Sequence, residues 1–163
     1  MKHLILSLAA ILFSADLSSA QVKVSANRCE GLDEKVAALS SQYRELRERR
    51  RRLPEGERDA ELSDAGGKLS KVLSSLGVEL GHAPYTKQTI VGCLGAPDAV
   101  KNHKQMGPLL GIYNREREKA GRQIKEKSNR RYLIYFWRGW HDFLFFISED
   151  GRIVDHGWWF AYE

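Results

Sequence analysis

Cysteine is nearly absent: the 163-residue chain has two, Cys29 and Cys93. Two thiols so far apart exclude the Cys-x-x-Cys pairs of a zinc module, and no other zinc spacing occurs. Long apolar runs are also missing. The main one, Leu4 to Phe13, is too short to cross a bilayer. No Asn-x-Ser/Thr triplet is present, so no N-glycan is expected. There is no glycine-rich phosphate loop, no nucleophile elbow and no nucleic-acid module, so the sequence names no cofactor and no catalytic nucleophile. Aromatic residues are sparse until late. Of sixteen, only Phe13, Tyr43, Tyr85 and Tyr113 precede Tyr132.

The first twenty residues join Lys2 and His3 to the apolar run and then to Ser18-Ser19-Ala20. That is the pattern of a signal peptide, residues 1–20; an N-terminal core helix is the alternative. Cleavage after Ala20 would leave about 143 residues, secreted or periplasmic and of ordinary single-domain size. Export permits a Cys29–Cys93 disulfide. It would close a loop of about 65 residues and contribute about 4 kcal/mol in the chain-entropy picture. Two buried free thiols are the other reading. Cys29 is preceded by Ala26-Asn27-Arg28, which is not a lipid-attachment motif.

The net charge is +5, and it is unevenly placed. Lys101 to Arg131 holds ten basic and three acidic residues, an excess of seven that exceeds the total. In an exported chain such a segment points to an anionic envelope surface or an acidic protein partner, and away from nucleic acid.

A polar lead-in, residues 21–31, precedes a helical pattern. Leu32, Val36, Leu39, Tyr43, Leu46 and Leu53 step by heptad spacing, and Pro54-Glu55-Gly56 breaks the run. Leu62, Ala65, Leu69, Val72 and Leu76 form a second seam, weakened by Gly66-Gly67. The two read as an antiparallel helical hairpin over 32–80. Arg47 and Arg49 to Arg52 read as its solvated end rather than a binding site. Residues 77–84 read as a linker. Thr86 to Leu94 reads as a short helix with Thr86 as N-cap. Residues 99–131 form a basic insertion, expected to be a weakly packed excursion, with helix conceivable over 109–124.

Residues 132–137 and 143–147 have strand composition, and Arg138 to Asp142 is a hairpin-type connection between them. Asp150-Gly151 is a strong hairpin turn ahead of a third strand, 152–160. Parity puts Leu133, Tyr135 and Trp137 on one face and Tyr132, Ile134 and Phe136 on the other. Neither face is polar, so both need cover or one binds a partner. The fold class expected is α+β: a helical hairpin and a short helix packed on a three-stranded antiparallel meander over 84–163.

Thr86-x-x-x-Ile90-x-x-x-Leu94-Gly95-Ala96-Pro97-Asp98, the two aromatic strands and Asp150-Gly151-Arg152-Ile153 resemble the SmpA/OmlA/BamE-type small envelope domains. That family shares its fold with β-lactamase-inhibitor-like proteins. The resemblance covers about half the chain after the signal peptide. It implies helices on one face of a three-stranded sheet and a non-enzymatic binding or scaffolding role, with no catalytic residue. The absent lipobox, the N-terminal hairpin and the basic insertion depart from the family's pattern.

The contact residues expected for a protein partner or anionic surface are Trp140, Trp158, Trp159, Phe160, Arg138, Arg130 and Arg131, since Trp and Arg lead the residue types at binding hot spots. The hairpin seams are expected to close on each other, leaving the face near Trp140, Trp158 and Trp159 accessible. The competing function is a small secreted hydrolase, metal-dependent or acid/base, using His141, Asp142, Asp155 and His156. It requires those four side chains to converge.

Overall fold

The computed structural model describes Cys29 and residues 32–82, 84–107, 109–110, 127–139 and 141–160. The expected signal peptide, Trp140 and most of the span 109–124 lie outside the described residues. The elements in chain order are α1 (Glu34–Arg51), α2 (Ala60–Ser63), α3 (Lys68–Leu80), α4 (Lys87–Leu94), β1 (Ala99–Asn102), β2 (Arg130–Arg138), β3 (Asp142–Glu149) and β4 (Arg152–Trp159). The sheet has the order β1-β2-β3-β4, every pair antiparallel.

β2, β3 and β4 are the expected meander. Asp150 and Gly151, at φ 49° and 81°, give the β3–β4 turn the two positive angles of a type I′ hairpin. β1 is a fourth strand, beyond the three expected. With two apolar residues it shows no strand pattern of its own. Its register is set from outside: the Asp98 amide donates to the Ile134 carbonyl (2.8 Å), and the Asp98 carboxylate accepts from the Phe136 amide (2.9 Å).

Leu133 pairs with Phe146 and Ile134 with Phe145, so the parity read from sequence is the parity of the sheet. Leu133, Tyr135, Trp137, Leu144 and Phe146 join one cluster with Val36, Tyr43, Leu46, Leu69, Leu73, Leu76, Leu80, Ile90 and Leu94. The hairpin seams do pack on each other, as expected, but the hairpin also packs on the sheet, so that face is covered and not left accessible. Gly77 and Gly81 are the reason. A Cβ at Gly77 would lie 2.8 Å from Leu144 Cδ1, and one at Gly81 would lie 2.0 Å from His156 Nδ1, so α3 approaches β3 and β4 more closely than any side chain would allow. Gly77 belongs to the helix, not to a linker.

The second face carries Tyr132, Ile134, Phe143, Phe145 and Ile147, and Met106 and Leu110 cover it. Residues 103–107, 109 and 110 are helical. The start of the basic insertion is thus strand, then helix, then core, and not a weakly packed excursion. Burying one methionine and one leucine fully is worth about 1.5–3 kcal/mol each.

α4 begins as expected. The Thr86 hydroxyl accepts from the Thr89 amide (3.2 Å) and the Thr89 hydroxyl from the Thr86 amide (3.4 Å), a reciprocal cap. Cys29 and Cys93 form a disulfide with Cα atoms 5.2 Å apart, tying the chain ahead of α1 to α4.

Candidate functional site

β4 runs past the edge of the core, and its last residues carry large rings. Alternation sends successive side chains to opposite faces. Trp158, opposite Leu144, lies on the face covered by the hairpin; Trp159, opposite Phe143, lies on the other. Phe160 returns to the first face and stacks on Trp158, ring centroids 5.7 Å apart and 12° between planes. It also meets the edge of the buried Trp137 ring at 6.1 Å. Trp158 and Trp159 are half-buried, and Phe160 is 41% exposed.

Trp158 and Phe160 form one wall of a groove of about 320 Å³, and Ala65, Ser70, Lys71 and Ser74 form the other. Ser70 and Ser74 stand one turn apart on α3, which places them on one stripe. The groove is thus an aromatic shelf facing a small-residue helix surface with a cation at its rim. A wider depression of about 710 Å³, between α1 and the α2–α3 segment, shares Lys71 with it. Within the sequence-expected set, the structure brings together Trp158 and Phe160, sends Trp159 to the other face, and leaves Trp140 outside the described residues. Sequence reasoning missed the α3 wall. Its hydroxyls and lysine look like an ordinary solvated helix face until the sheet's end is seen beside them.

The expected arginine contacts are differently placed. Arg130 is 6% exposed and ion-paired with Glu149; Lys127 also donates to that carboxylate, at 2.7 Å. Burial opposes the Glu149 charge, but hydrogen bonds from Lys127 and Arg130 hold its pKa below the ordinary 4.5. Arg138 pairs with the fully buried Asp142 and lies over the Trp137 ring, 5.6 Å from its centroid. Arg130 and Arg138 therefore fasten the sheet. Arg131 is exposed and donates to the carbonyls of Ser128 (3.0 Å) and Arg130 (2.9 Å).

The four residues of the hydrolase reading do not converge. His141 and Asp142 lie at the β2–β3 connection, His141 Nδ1 being 3.7 Å from the Asp142 carboxylate. His156 is opposite Phe146 and Asp155 opposite Ile147, four and five positions along β3 from Asp142. At about 3.4 Å per residue that is roughly 14 Å or more. The His156 ring faces α3 at Gly81, and the His156 amide donates to the Asp155 carboxylate (2.8 Å). Among the described residues no group of three or more His, Cys, Asp or Glu side chains could hold a metal ion.

The arginine run of α1 is a solvated end only in part: Arg49, Arg51 and Arg52 are exposed as expected, whereas Arg47 is buried and Arg50 half-buried. Arg44 donates to the carbonyls of Gly92 and Cys93, both at 2.8 Å. Arg47, 8% exposed, donates to those of Leu94 (3.0 Å) and Ala96 (2.9 Å) and pairs with Asp98. The Gly92, Cys93 and Leu94 carbonyls are among those that the C-terminus of α4 leaves without partners, and cations there also meet the negative end of the α4 dipole.

Together these features define an α+β domain with helices on both faces of a four-stranded antiparallel sheet and an aromatic groove at the end of its edge strand. No helix among the described residues is long and apolar enough to cross a membrane. Comparison with known proteins finds no family model, no curated protein and no solved structure that matches this chain.

Proposed function

We propose that this protein is an exported, non-enzymatic binding module whose docking site is the groove between Trp158–Phe160 and α3. The observation that carries the reading is the stacked, part-exposed Trp158–Phe160 pair beside Lys71. Large rings held rigid at a surface supply contact area at little entropic cost, and aromatic anchors dominate binding hot spots. The disulfide supports export, since such bonds persist in oxidising compartments. The likeness of the C-terminal half to SmpA/OmlA/BamE-type domains supports a scaffolding role. The fourth strand and the covered second face go beyond what that likeness implies.

The partner is an envelope protein that presents an apolar side chain to the aromatic shelf and an acidic group to Lys71. A photo-crosslinking amino acid placed at position 160 should trap one discrete partner from intact cells. The same residue at Val78, exposed at 59% on α3, should not. Equal labelling from both positions would refute the groove as the docking site.

A further inference from the structure

The end of α1 carries a site of a different kind. Arg47, Arg50 and Arg51 line a pocket of about 260 Å³ with Asp98, Phe136 and Gly139. Arg47 and Asp98 are engaged with each other, and the Asp98 carboxylate is held further by the Phe136 amide. Arg50 makes no ion pair of its own among the described residues, and the Asp98 charge reaches it only through space. Its Nη1 donates to the Phe136 carbonyl at 2.8 Å and its Nη2 to the Gly139 carbonyl at 3.3 Å, both neutral acceptors. A guanidinium has five N–H donors, so three of Arg50's remain for a further acceptor. Among the described residues no carboxylate ion-pairs with Arg50 or with the exposed Arg51 beside it.

Arg50 is half-buried, and burial pushes its pKa down from the ordinary arginine value. Arginine still stays protonated; the Asp98 charge acts in its favour, but the cost of removing the guanidinium from water is the larger of the two, so a further anion meeting it would be favourable. Three guanidinium groups face one carboxylate in the pocket. The α1 C-terminus beneath them offsets only about half a charge, so the pocket remains positive. The buried Tyr43 hydroxyl has no hydrogen-bond partner among the described residues, and the Arg47 guanidinium carbon lies 5.9 Å from the centre of its ring.

We propose that this pocket is an oxyanion-binding site, in which Arg50 and Arg51 together hold a carboxylate or phosphoryl group. The guanidinium fork matches the paired oxygens of both groups, and two forks on adjacent residues can grip one anion from two sides. The volume is below the roughly 300–1,000 Å³ of sites that enclose a whole drug-sized ligand. The occupant is therefore a small ion or the charged end of a larger molecule. The site is separate from the aromatic groove and stands or falls independently of it.

The test uses the full chain with its disulfide intact. Arginine Nε–Hε resonances are followed by NMR during titration with sodium phosphate and, separately, sodium acetate, with ionic strength held constant by sodium chloride. Arg50 and Arg51 should shift saturably with at least one anion, and which one saturates tells the phosphoryl from the carboxylate preference. Arg51→Gln, at an exposed position that leaves the core intact, should weaken that binding about tenfold, the loss of one charge-assisted contact. Arg131→Gln, removing an exposed arginine elsewhere, should change it less than about twofold. Shifts no larger than sodium chloride alone produces, or an Arg51→Gln protein that titrates like the wild type, would overturn the proposal.

Discussion

Arg47 is the side chain on which α1, the end of α4 and the approach to β1 meet. It stands between the Tyr43 and Tyr135 rings, 5.9 Å and 5.6 Å from their centroids, and engages two carbonyls and Asp98. Arg47→Ala removes the donors while leaving those acceptors partly buried, which costs far more than the pair itself contributes. The expected loss is about 3 kcal/mol in urea unfolding. Arg52→Ala, which removes only an exposed pair with Glu48 on the same helix, should lose less than about 0.5 kcal/mol. Equal losses would mean that Arg47 is no more than a surface charge. Glu149 makes a prediction in pH. Its pKa is held below 4.5, so it stabilises the fold fully above about that pH, and the contribution is lost as pH falls through the lowered value. Glu149→Gln should therefore flatten the decline in stability as pH falls below 4.5, measured by urea midpoints. An unchanged acid profile would refute the assignment.

Elements with strong local patterns were legible in the sequence, and elements fixed by distant partners were not. β2, β3 and β4 announce themselves by β-branched and aromatic runs around Asp150-Gly151, and α4 by its threonine cap. β1 has no such pattern, because its place is set by Asp98 bonding to Ile134 and Phe136. Gly77 reads as a break because glycine disfavours helix by about 1 kcal/mol. It is helical because a missing Cβ lets α3 lie on Leu144. Gly81 is the sharper case, since a Cβ there would meet both the His156 ring at 2.0 Å and the Gly77 carbonyl at 2.3 Å. Gly81→Ala should destabilise by about 1–3 kcal/mol, as overpacking does, even though alanine favours helix. A neutral or stabilising effect in thermal unfolding would show that α3 does not need this close approach.

At the scale of the whole molecule, the sequence poses a sheet with two apolar faces, and the fold resolves it with two unequal covers. The hairpin and α4 take one face; Met106 and Leu110 take the other. Phe160, the one aromatic among the described residues that is exposed rather than part-buried, follows directly on β4, where the covers stop. In the candidate site, the tryptophans and Phe160 were visible as residue types. The groove was not, because its second wall comes from a helix some ninety residues earlier that only the fold brings alongside. That the Trp158–Phe160 pair serves binding and not packing is the central claim, and parallel measurements of affinity and melting temperature test it most directly. With the crosslinked partner in hand, Phe160→Ala and Lys71→Glu should each weaken its binding by more than about 2 kcal/mol, the hot-spot scale. The melting temperature of each variant should stay within about 3 °C of the wild type, as for changes at part-exposed positions. Unchanged affinity in both folded variants, or a melting temperature that collapses for each, would contradict the account.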